Sequence, residues 1–371
     1  VTQFVFLGLG PDANSVSVLL FGSELLLLLE SRRSGNPRAL FALPVLFLFW
    51  ANLDIGFVYG IAVLALFLAV LLLERTGHGA DWSWLEAPAV GIRTQAALAA
   101  GGLCLFASLL TPYTYHSYKE FIANQASSLN RHLPGYTSMS FHRSQDYVLL
   151  LLAMVAALAL GRRRSRDLFL LGLLAGCAML SFHAQRQNWL VALAGVAVIG
   201  EPGAQRSKGM KEQGALRWRW GILAPAAIAM GLAVVAWVVR VPASREVLLA
   251  KTAQRFPVRA CDYLREHHLP TPLFNPYLWG GFLTWYLPGY PVAIDLRRGL
   301  YPDEEEIAYF QVMNAEIPYQ SLPALKRAGT ILLEKDSVMG EALRDMPGFE
   351  VAYEDNVSLV LVQPGAAAGG K

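Results

Sequence analysis

A single carboxylate, Asp54, interrupts a strongly apolar part of the sequence, FWANLDIGFVYG at positions 49–60. Apolar runs lie on both sides of it, and no basic residue is close to it in sequence. An acid in a membrane-like segment is a functional candidate, because a charged group is costly there. A carboxylate can act as a general base toward a hydroxyl. The structural alternative is a helix cap on the amide of Phe57 or its neighbour, and both interpretations stay open.

Two further stretches, 111–132 and 183–186, contain groups that could act on a substrate. Arg186, in SFHAQRQNW, is a candidate phosphate ligand because a guanidinium fork matches phosphate oxygens. Its alternative is a turn residue that reaches lipid headgroups. Glu120 is a second candidate base, or else part of the solvated face of an interfacial helix. The remaining candidates are Tyr113, His116, Lys119, Arg131, His132 and His183.

No metal site is predicted from these residues, because His116 and His183 have no ligand spacing with another His or Cys. The three cysteines, Cys104, Cys177 and Cys261, are far apart in sequence and imply no disulfide framework.

A third group, Asp295, Arg297 and Tyr301, follows the short apolar run PVAID at positions 291–295. The end of a buried strand is where α/β folds build sites. The interpretation we favour is an internal ion pair that holds the loop before Tyr301.

Composition indicates the elements that must position these groups. The chain is 54% hydrophobic and only 16% charged, which is typical of a polytopic membrane protein. A spanning helix needs about 20 apolar residues. We predict about eight spans, at 16–29, 40–50, 55–73, 96–110, 147–160, 168–182, 189–199 and 221–239.

Lysine and arginine predict the orientation, since cytoplasmic loops carry an excess of them. Three clusters mark inner loops, at 32–38, 162–166 and 206–219. With one crossing per segment, 113–146, 183–188 and everything after Arg240 then lie outside, so the candidates above share the outer side. The net charge of +3 comes mostly from the inner loops, so we interpret it as topology and predict no nucleic-acid partner.

The composition changes after the last span, which predicts two domains, a transmembrane helical domain at 1–240 and an extracytoplasmic α/β domain at 241–371 with a flexible C-terminal tail. In the second domain we predict a helix near 258–264, a strand at 291–295, and a helix capped by Asp303. A short helix at 321–328, a strand at 330–335, a helix at 337–346 and a hairpin turning at 355–356 complete it.

The residues of this second domain carry a resemblance. LWGGFLTWYLPGYPVAIDLRRGLYP, at 278–302, resembles the C-terminal extracytoplasmic domain of bacterial membrane proteins of the GT-C glycosyltransferase superfamily. The matching positions are Gly280, Gly281, Phe282, Trp285, Ile294, Asp295, Arg297 and Tyr301.

The membrane part is also similar to that superfamily. FWANLDIGFVYG is similar to a segment that usually reads Trp-x-Asn-x-His-Gly-Gly, and LLTPYTYHSY to one that usually reads Asn-Pro-Tyr-Gly. Asp54 stands where the family has histidine, and Thr111 where it has asparagine.

The resemblance implies an inverting transfer of a sugar from a polyprenyl-phosphate donor, at the outer face of the bacterial cytoplasmic membrane. The acceptor would be a glycan, lipid or protein. Family members place a catalytic Asp or Asp-Glu pair in a first outer loop, which this chain lacks. The chain opens VTQFVFLGLGPDANS without Met, so we expect upstream spans to be missing. A Mg²⁺ or Mn²⁺ ion is implied only if that loop supplies carboxylates.

The alternative function is a transporter or a non-catalytic membrane scaffold whose outer domain binds a partner. Transporters usually carry broken helices or charged groups near the midplane. We interpret the span interiors here as almost free of charge, which favours the transferase.

Overall fold

The computed structural model describes residues 13–75, 92–133, 135–162, 167–206, 245–297 and 300–363. The chain divides into two compact units, Val1–Leu216 and Arg217–Lys371. The domain boundary predicted at residue 240 and the span predicted at 221–239 both lie outside the described residues. Both therefore stay predictions.

The described part of the first unit consists of helices joined by turns and loops, without strands. Its helices are α1 (Ala13–Ser34), α2 (Leu43–Leu53), α3 (Phe57–Arg75), α4 (Thr94–Leu109), α5 (His116–Ala126), α6 (Ser144–Gly161), α7 (Leu168–His183) and α8 (Asn188–Arg206). Short 3₁₀ helices at Pro37–Ala42, Ser128–Arg131 and Gln185–Gln187 join them. Leu- and Ala-rich runs favour helix because their side chains lose little freedom there. Gly35 follows α1 at φ 67° and ends it, since only glycine adopts this geometry at low cost.

Within the described residues, three helices are long and apolar enough to cross a membrane, which indicates a membrane protein. They are Asn14–Ser34, Phe57–Arg75 and Ser144–Gly161. Three shorter apolar helical stretches, Pro37–Leu53, Thr94–Leu109 and Leu168–His183, coincide with other predicted spans. The coarse prediction of a helical membrane domain is therefore confirmed, together with a small sheet in the second unit.

An ion cluster joins three helices at one end of the bundle. Arg32, near the end of α1, contacts Glu74 at 2.9 Å and Asp167 at 3.1 Å. Asp167 also caps α7 by accepting hydrogen bonds from the amides of Phe169 and Leu170. All three charged side chains are largely buried. This end of α1 and α3 is opposite to the end that contains Ser17 and Asp54.

The second unit combines short helices with a four-stranded mixed sheet. Its helices are α9 (Arg245–Thr252), α10 (Val258–Glu266), α11 (Gly280–Tyr286), α12 (Asp303–Met313), α13 (Pro323–Arg327) and α14 (Val338–Arg344). Its strands are β1 (Leu273–Phe274), β2 (Thr330–Glu334), β3 (Glu350–Glu354) and β4 (Ser358–Val362). The strand order is β1-β2-β4-β3, with β1 parallel to β2 and the other pairs antiparallel. The predicted hairpin at 355–356 is the β3–β4 turn.

Two local predictions in this unit are wrong. Segment 291–295 forms no strand beyond one isolated bridge from Val292 to Leu273, because the buried amide of Asn275 binds its backbone at Ala293 and Ile294 instead. Asp303 is not the helix cap. Pro302 occupies that position, and Asp303 lies in the first turn of α12.

Candidate functional site

Asp54 lies in the extended link between α2 and α3, with φ −154° and ψ 143°. Its Oδ2 accepts a hydrogen bond from the amide of Gly56 at 3.0 Å and another from the Ser17 hydroxyl. The carboxylate therefore caps the turn that begins α3. Its Oδ1 accepts no hydrogen bond among the described residues. Asp54 can therefore cap the helix and also act on a substrate, because Oδ2 accepts both hydrogen bonds and Oδ1 stays available.

Trp50 and Gly56 hold this carboxylate in place. The buried indole Nε1 of Trp50 donates to Ser17 Oγ at 2.7 Å, and Ser17 in turn donates to Asp54. A Cβ at Gly56 would lie 2.6 Å from Asp54 Oδ2, so a larger residue there would displace the acid. The orientation of Asp54 is thus set by α1, α2 and the start of α3 together.

One cavity gathers Asp54 with the predicted residues of the 111–120 segment. Its volume is about 510 Å³, and Tyr113, His116 and Glu120 line it together with Asp54. The Asn52 amide donates to the carbonyl of Leu110 at 3.1 Å, which ties the end of α2 to this segment. Tyr113, His116 and Glu120 are exposed, so they can meet a ligand without moving out of a core.

A second, smaller cavity joins Asp54 to Arg186. Its volume is about 100 Å³, and its polar lining is Asn14, Asp54, Tyr59, Asn124, Gln125, Tyr136, Arg186 and Gln187. Asp54 and Ile55 line both cavities, so the two share a wall. Arg186 Nη1 donates to the Tyr136 hydroxyl at 2.8 Å, and the guanidinium carbon lies 5.3 Å from the centre of that ring. Among the described residues, no carboxylate forms an ion pair with Arg186.

The backbone around Arg186 is held by the loop that precedes α6. The Arg186 amide donates to the Gly135 carbonyl at 2.7 Å, and the Gln185 amide to the Thr137 carbonyl at 3.1 Å. The Met139 amide donates to the Phe182 carbonyl at 3.1 Å. These three hydrogen bonds pair the loop with the turn before α8.

Tyr59 organises the floor of the smaller cavity and was not predicted from the sequence. Its hydroxyl accepts hydrogen bonds from the amide of Gln187 and, at 3.3 Å, from that of Gln125. Its ring packs edge-on against Phe121 of α5 and Trp189 of α8. Tyr136, Gln125 and Gln187 were missed as well. Uncharged polar residues at span ends are common, so their sequence gave no distinguishing signal.

Several predicted residues are outside these two cavities. His183, at the end of α7, and Arg131, in the Ser128–Arg131 turn, are exposed and line neither one. Lys119 stacks its ammonium 4.9 Å from the centre of the Tyr115 ring and also lines neither. His132 is likewise absent from both linings.

The third group forms an ion pair in the second unit. Arg297 donates to the buried Asp295 carboxylate from Nε at 2.8 Å, from Nη2 at 2.6 Å and from its own amide at 2.9 Å. The Arg297 side chain hydrogen bond, with its charge, holds the pKa of Asp295 below its usual range. Burial raises the pKa of Tyr301, which also interacts with Arg297. These hydrogen bonds hold the loop that precedes Tyr301.

Gly280 packs on the same segment. A Cβ there would meet the Ile294 carbonyl and lie 2.6 Å from the Asp295 Cα. Gly280 therefore permits the close approach of α11 to this loop, whereas a Cβ at Gly281 would meet no atom within 4 Å.

Within the described ranges, no group of three or more His, Cys, Asp or Glu side chains could hold a metal ion. The two cavities bring together the carboxylates of Asp54 and Glu120, the imidazole of His116 and the guanidinium of Arg186.

One acid was overlooked in the sequence and contradicts the interpretation that the span interiors are almost free of charge. Glu24, midway along α1, has no exposed surface. Neither carboxyl oxygen has a hydrogen-bond partner among the described residues.

No protein-family model matches the chain, and no curated protein matches it either.

Proposed function

We propose that the chain is a GT-C-like membrane glycosyltransferase that transfers a sugar from a polyprenyl-phosphate donor to a glycan, lipid or protein acceptor. The observation that carries the proposal is the position of Asp54 on the shared wall of two cavities. One contains the guanidinium of Arg186, and the other contains His116 and Glu120. A carboxylate and a phosphate-binding cation at one end of a membrane bundle fit this reaction.

The two halves of the reaction need opposite charges. The leaving polyprenyl phosphate carries negative charge, which Arg186 would stabilise through N–H groups that Tyr136 does not use. The acceptor hydroxyl needs a base, for which Asp54 Oδ1 is the first candidate and Glu120 the second. Tyr113 and His116 would contact the sugar or the acceptor in the larger cavity. Its volume of about 510 Å³ is sufficient for a sugar-sized group.

The proposal keeps the predicted topology. The eight spans are the three long helices, the shorter apolar helices α2, α4 and α7, the 19-residue helix α8, and the segment predicted at 221–239. The inner-membrane location and the outer position of the cavities are parts of the same proposal. The basic residues support it, because Arg32 lies at the opposite end of α1 from Ser17. The Mg²⁺ or Mn²⁺ ion that the resemblance conditionally implies has no ligand group within the described ranges.

Transfer activity tests the proposal directly. The full-length protein in detergent or liposomes is incubated with polyprenyl-phosphate sugars, and release of polyprenyl phosphate is measured. We expect Asp54→Asn to lower kcat by about 100-fold or more, because the amide still caps the turn but cannot accept the proton. Arg186→Ala should lower kcat/KM by a similar factor, about 2–4 kcal/mol.

Arg143→Ala is the matched control for Arg186→Ala. Arg143 is an exposed arginine next to α6 that lines neither cavity. Equal losses in the two arginine variants would show that the effect is general surface charge. Full activity in both Asp54→Asn and Arg186→Ala would contradict the site.

A transporter is the second candidate, and Glu24 is the observation that favours it. An ionisable group inside a membrane bundle often belongs to a substrate or proton pathway. Uptake of a labelled solute into proteoliposomes, with no transfer to an acceptor, would select this function over the transferase.

A further inference from the structure

Glu24 occupies an unusual position for a charged side chain. It lies in the middle of α1, has no exposed surface, and neither oxygen has a hydrogen-bond partner among the described residues. Glu30, six residues later on the same helix, is exposed. The neighbouring acid of α3, Glu74, is paired with Arg32. Glu24 is therefore a fully buried carboxyl group, with both oxygens unpartnered, for which the described part of the chain offers no counter-charge.

The surroundings of Glu24 are apolar or weakly polar. The carboxyl group packs on Gly60 of α3 and lies close to the Trp50 ring of α2, since a Cβ at Gly60 would be 2.6 Å from both. The titratable groups that interact with it electrostatically are the thiols of Cys104 on α4 and Cys177 on α7. The nearest charged group along α1 is Glu30, which is exposed; Asp54, through Ser17, and the Arg32 cluster follow. These lie about two helical turns away, roughly 9–12 Å.

Two ligands could neutralise such a carboxylate, a metal cation or a proton. Sodium and calcium need several oxygen ligands around them. Here the neighbours are an indole, a glycine and two thiols, and no metal-binding group of three side chains occurs in the described residues. A proton needs only the carboxyl group itself. An unpaired ion in an apolar interior is so costly that the group takes up a proton instead.

We propose that Glu24 is a proton-binding site inside the membrane bundle, occupied as a neutral carboxylic acid at neutral pH, and that it is a selective modification site for hydrophobic carbodiimides. This inference does not depend on the transferase or transporter assignment. It concerns the chemical state and the reactivity of one side chain.

The modification reaction reports the proton directly. The acid transfers its proton to one nitrogen of dicyclohexylcarbodiimide, and the carboxylate oxygen adds to the central carbon. The resulting O-acylisourea rearranges by an acyl shift to nitrogen and gives a stable N-acylurea. No group leaves, so the adduct adds the whole mass of the reagent. An ionised carboxylate has no proton to donate and reacts poorly.

The test treats the full chain in liposomes at pH 7 with dicyclohexylcarbodiimide and maps the adducts by peptide mass spectrometry. We expect Glu24 to be modified about 10-fold or more faster than Glu30, because a carboxyl group in water is almost fully ionised at this pH. A water-soluble carbodiimide should reverse the order, since it reaches Glu30 and not the bundle interior. Glu30→Gln, the matched control, should leave the Glu24 adduct unchanged.

A second measurement does not depend on labelling. The infrared spectrum of the wild type at pH 7 should contain a protonated-carboxyl C=O band that Glu24→Gln removes and Glu30→Gln retains. The wild-type labelling needs no variant, so a folding defect in Glu24→Gln does not prevent the test. Equal labelling of Glu24 and Glu30, or an infrared band unaffected by Glu24→Gln, would overturn the proposal.

Discussion

Gly60 of α3 faces the carboxyl group of Glu24 of α1 so closely that an added Cβ would lie 2.6 Å from Oε2. The same Cβ would lie 2.6 Å from Cζ3 of Trp50. The absence of a side chain at residue 60 is thus what leaves room for both the acid and the indole.

Gly60→Ala should destabilise the protein by about 1–3 kcal/mol, because neither the buried acid nor the packed indole can move away freely. The measurement is the thermal stability of the full chain in detergent, followed by fluorescence-detected size exclusion. Gly102→Ala on α4 is the control, since a Cβ there meets no atom within 4 Å. It should be neutral or gain up to about 1 kcal/mol from helix propensity. Equal behaviour of the two variants would refute the close packing.

Ser17→Ala should cost about 1–3 kcal/mol, because it leaves the buried Trp50 N–H without an acceptor and removes one of the two donors to Asp54 Oδ2. The same thermal assay measures this loss. Ser34→Ala removes an exposed hydroxyl that donates to the Glu30 carbonyl and accepts from the Asn36 amide, and it serves as the control. If Ser17→Ala were as stable as Ser34→Ala, the hydrogen-bonded chain from Trp50 to Asp54 would have no energetic role.

Arg32→Ala should destabilise the bundle by about 3–5 kcal/mol, because it leaves Glu74 and Asp167 as buried charges without their cation. Arg38→Ala, at an exposed arginine of the following turn, should change stability by less than about 0.5 kcal/mol. Chemical denaturation of both variants in the same detergent compares them. A small loss in Arg32→Ala would mean that water replaces the guanidinium.

Arg297→Ala should loosen the loop around Asp295 in a pH-dependent way. Arg297 lowers the pKa of Asp295 in the folded state, so the pair stabilises the fold fully above the pH where an unfolded aspartate titrates, about 3.9. That contribution is lost as pH falls through the lower, folded-state pKa. Hydrogen–deuterium exchange of peptides covering 290–302 measures the effect.

We expect faster exchange in this variant than in the wild type at pH 7, and a smaller difference at pH 3. Arg327→Ala is the control, because its guanidinium contacts the Pro323 carbonyl of its own helix. A difference that stayed constant between pH 7 and pH 3 would exclude the ion pair as its cause.

Asp54 and Arg186 were found from the sequence because a charge within an apolar context stands out. The alternation of basic loops predicted only that the two residues share one side of the bundle; the cavity that both line was not predicted. Tyr59 and Tyr136 depend on which helix face meets which loop. That relation needs the packed structure.

The different burial of Glu24 and Glu30 could not be predicted from the sequence alone. Both belong to GSELLLLLESRR, and the span predicted at 16–29 contains Glu24 and ends before Glu30. That prediction did not show that Glu24 would be fully buried, while Glu30 is exposed. The six-residue spacing places them on different faces of α1, and only the neighbouring helices decide which face is enclosed. In the second unit, β1 has two residues, too few for an alternating pattern to be recognised.

The site is sensitive to insertions and deletions because backbone hydrogen bonds pair two segments. They join Arg186, Gln185 and Phe182 to Gly135, Thr137 and Met139. Deletion of Thr137 or Ser138 would shift the register of this pairing and carry the guanidinium away from Tyr136 without altering any residue that lines the cavity. Homologous chains that use Arg186 in the same way should therefore vary in the composition of this short segment but keep its length.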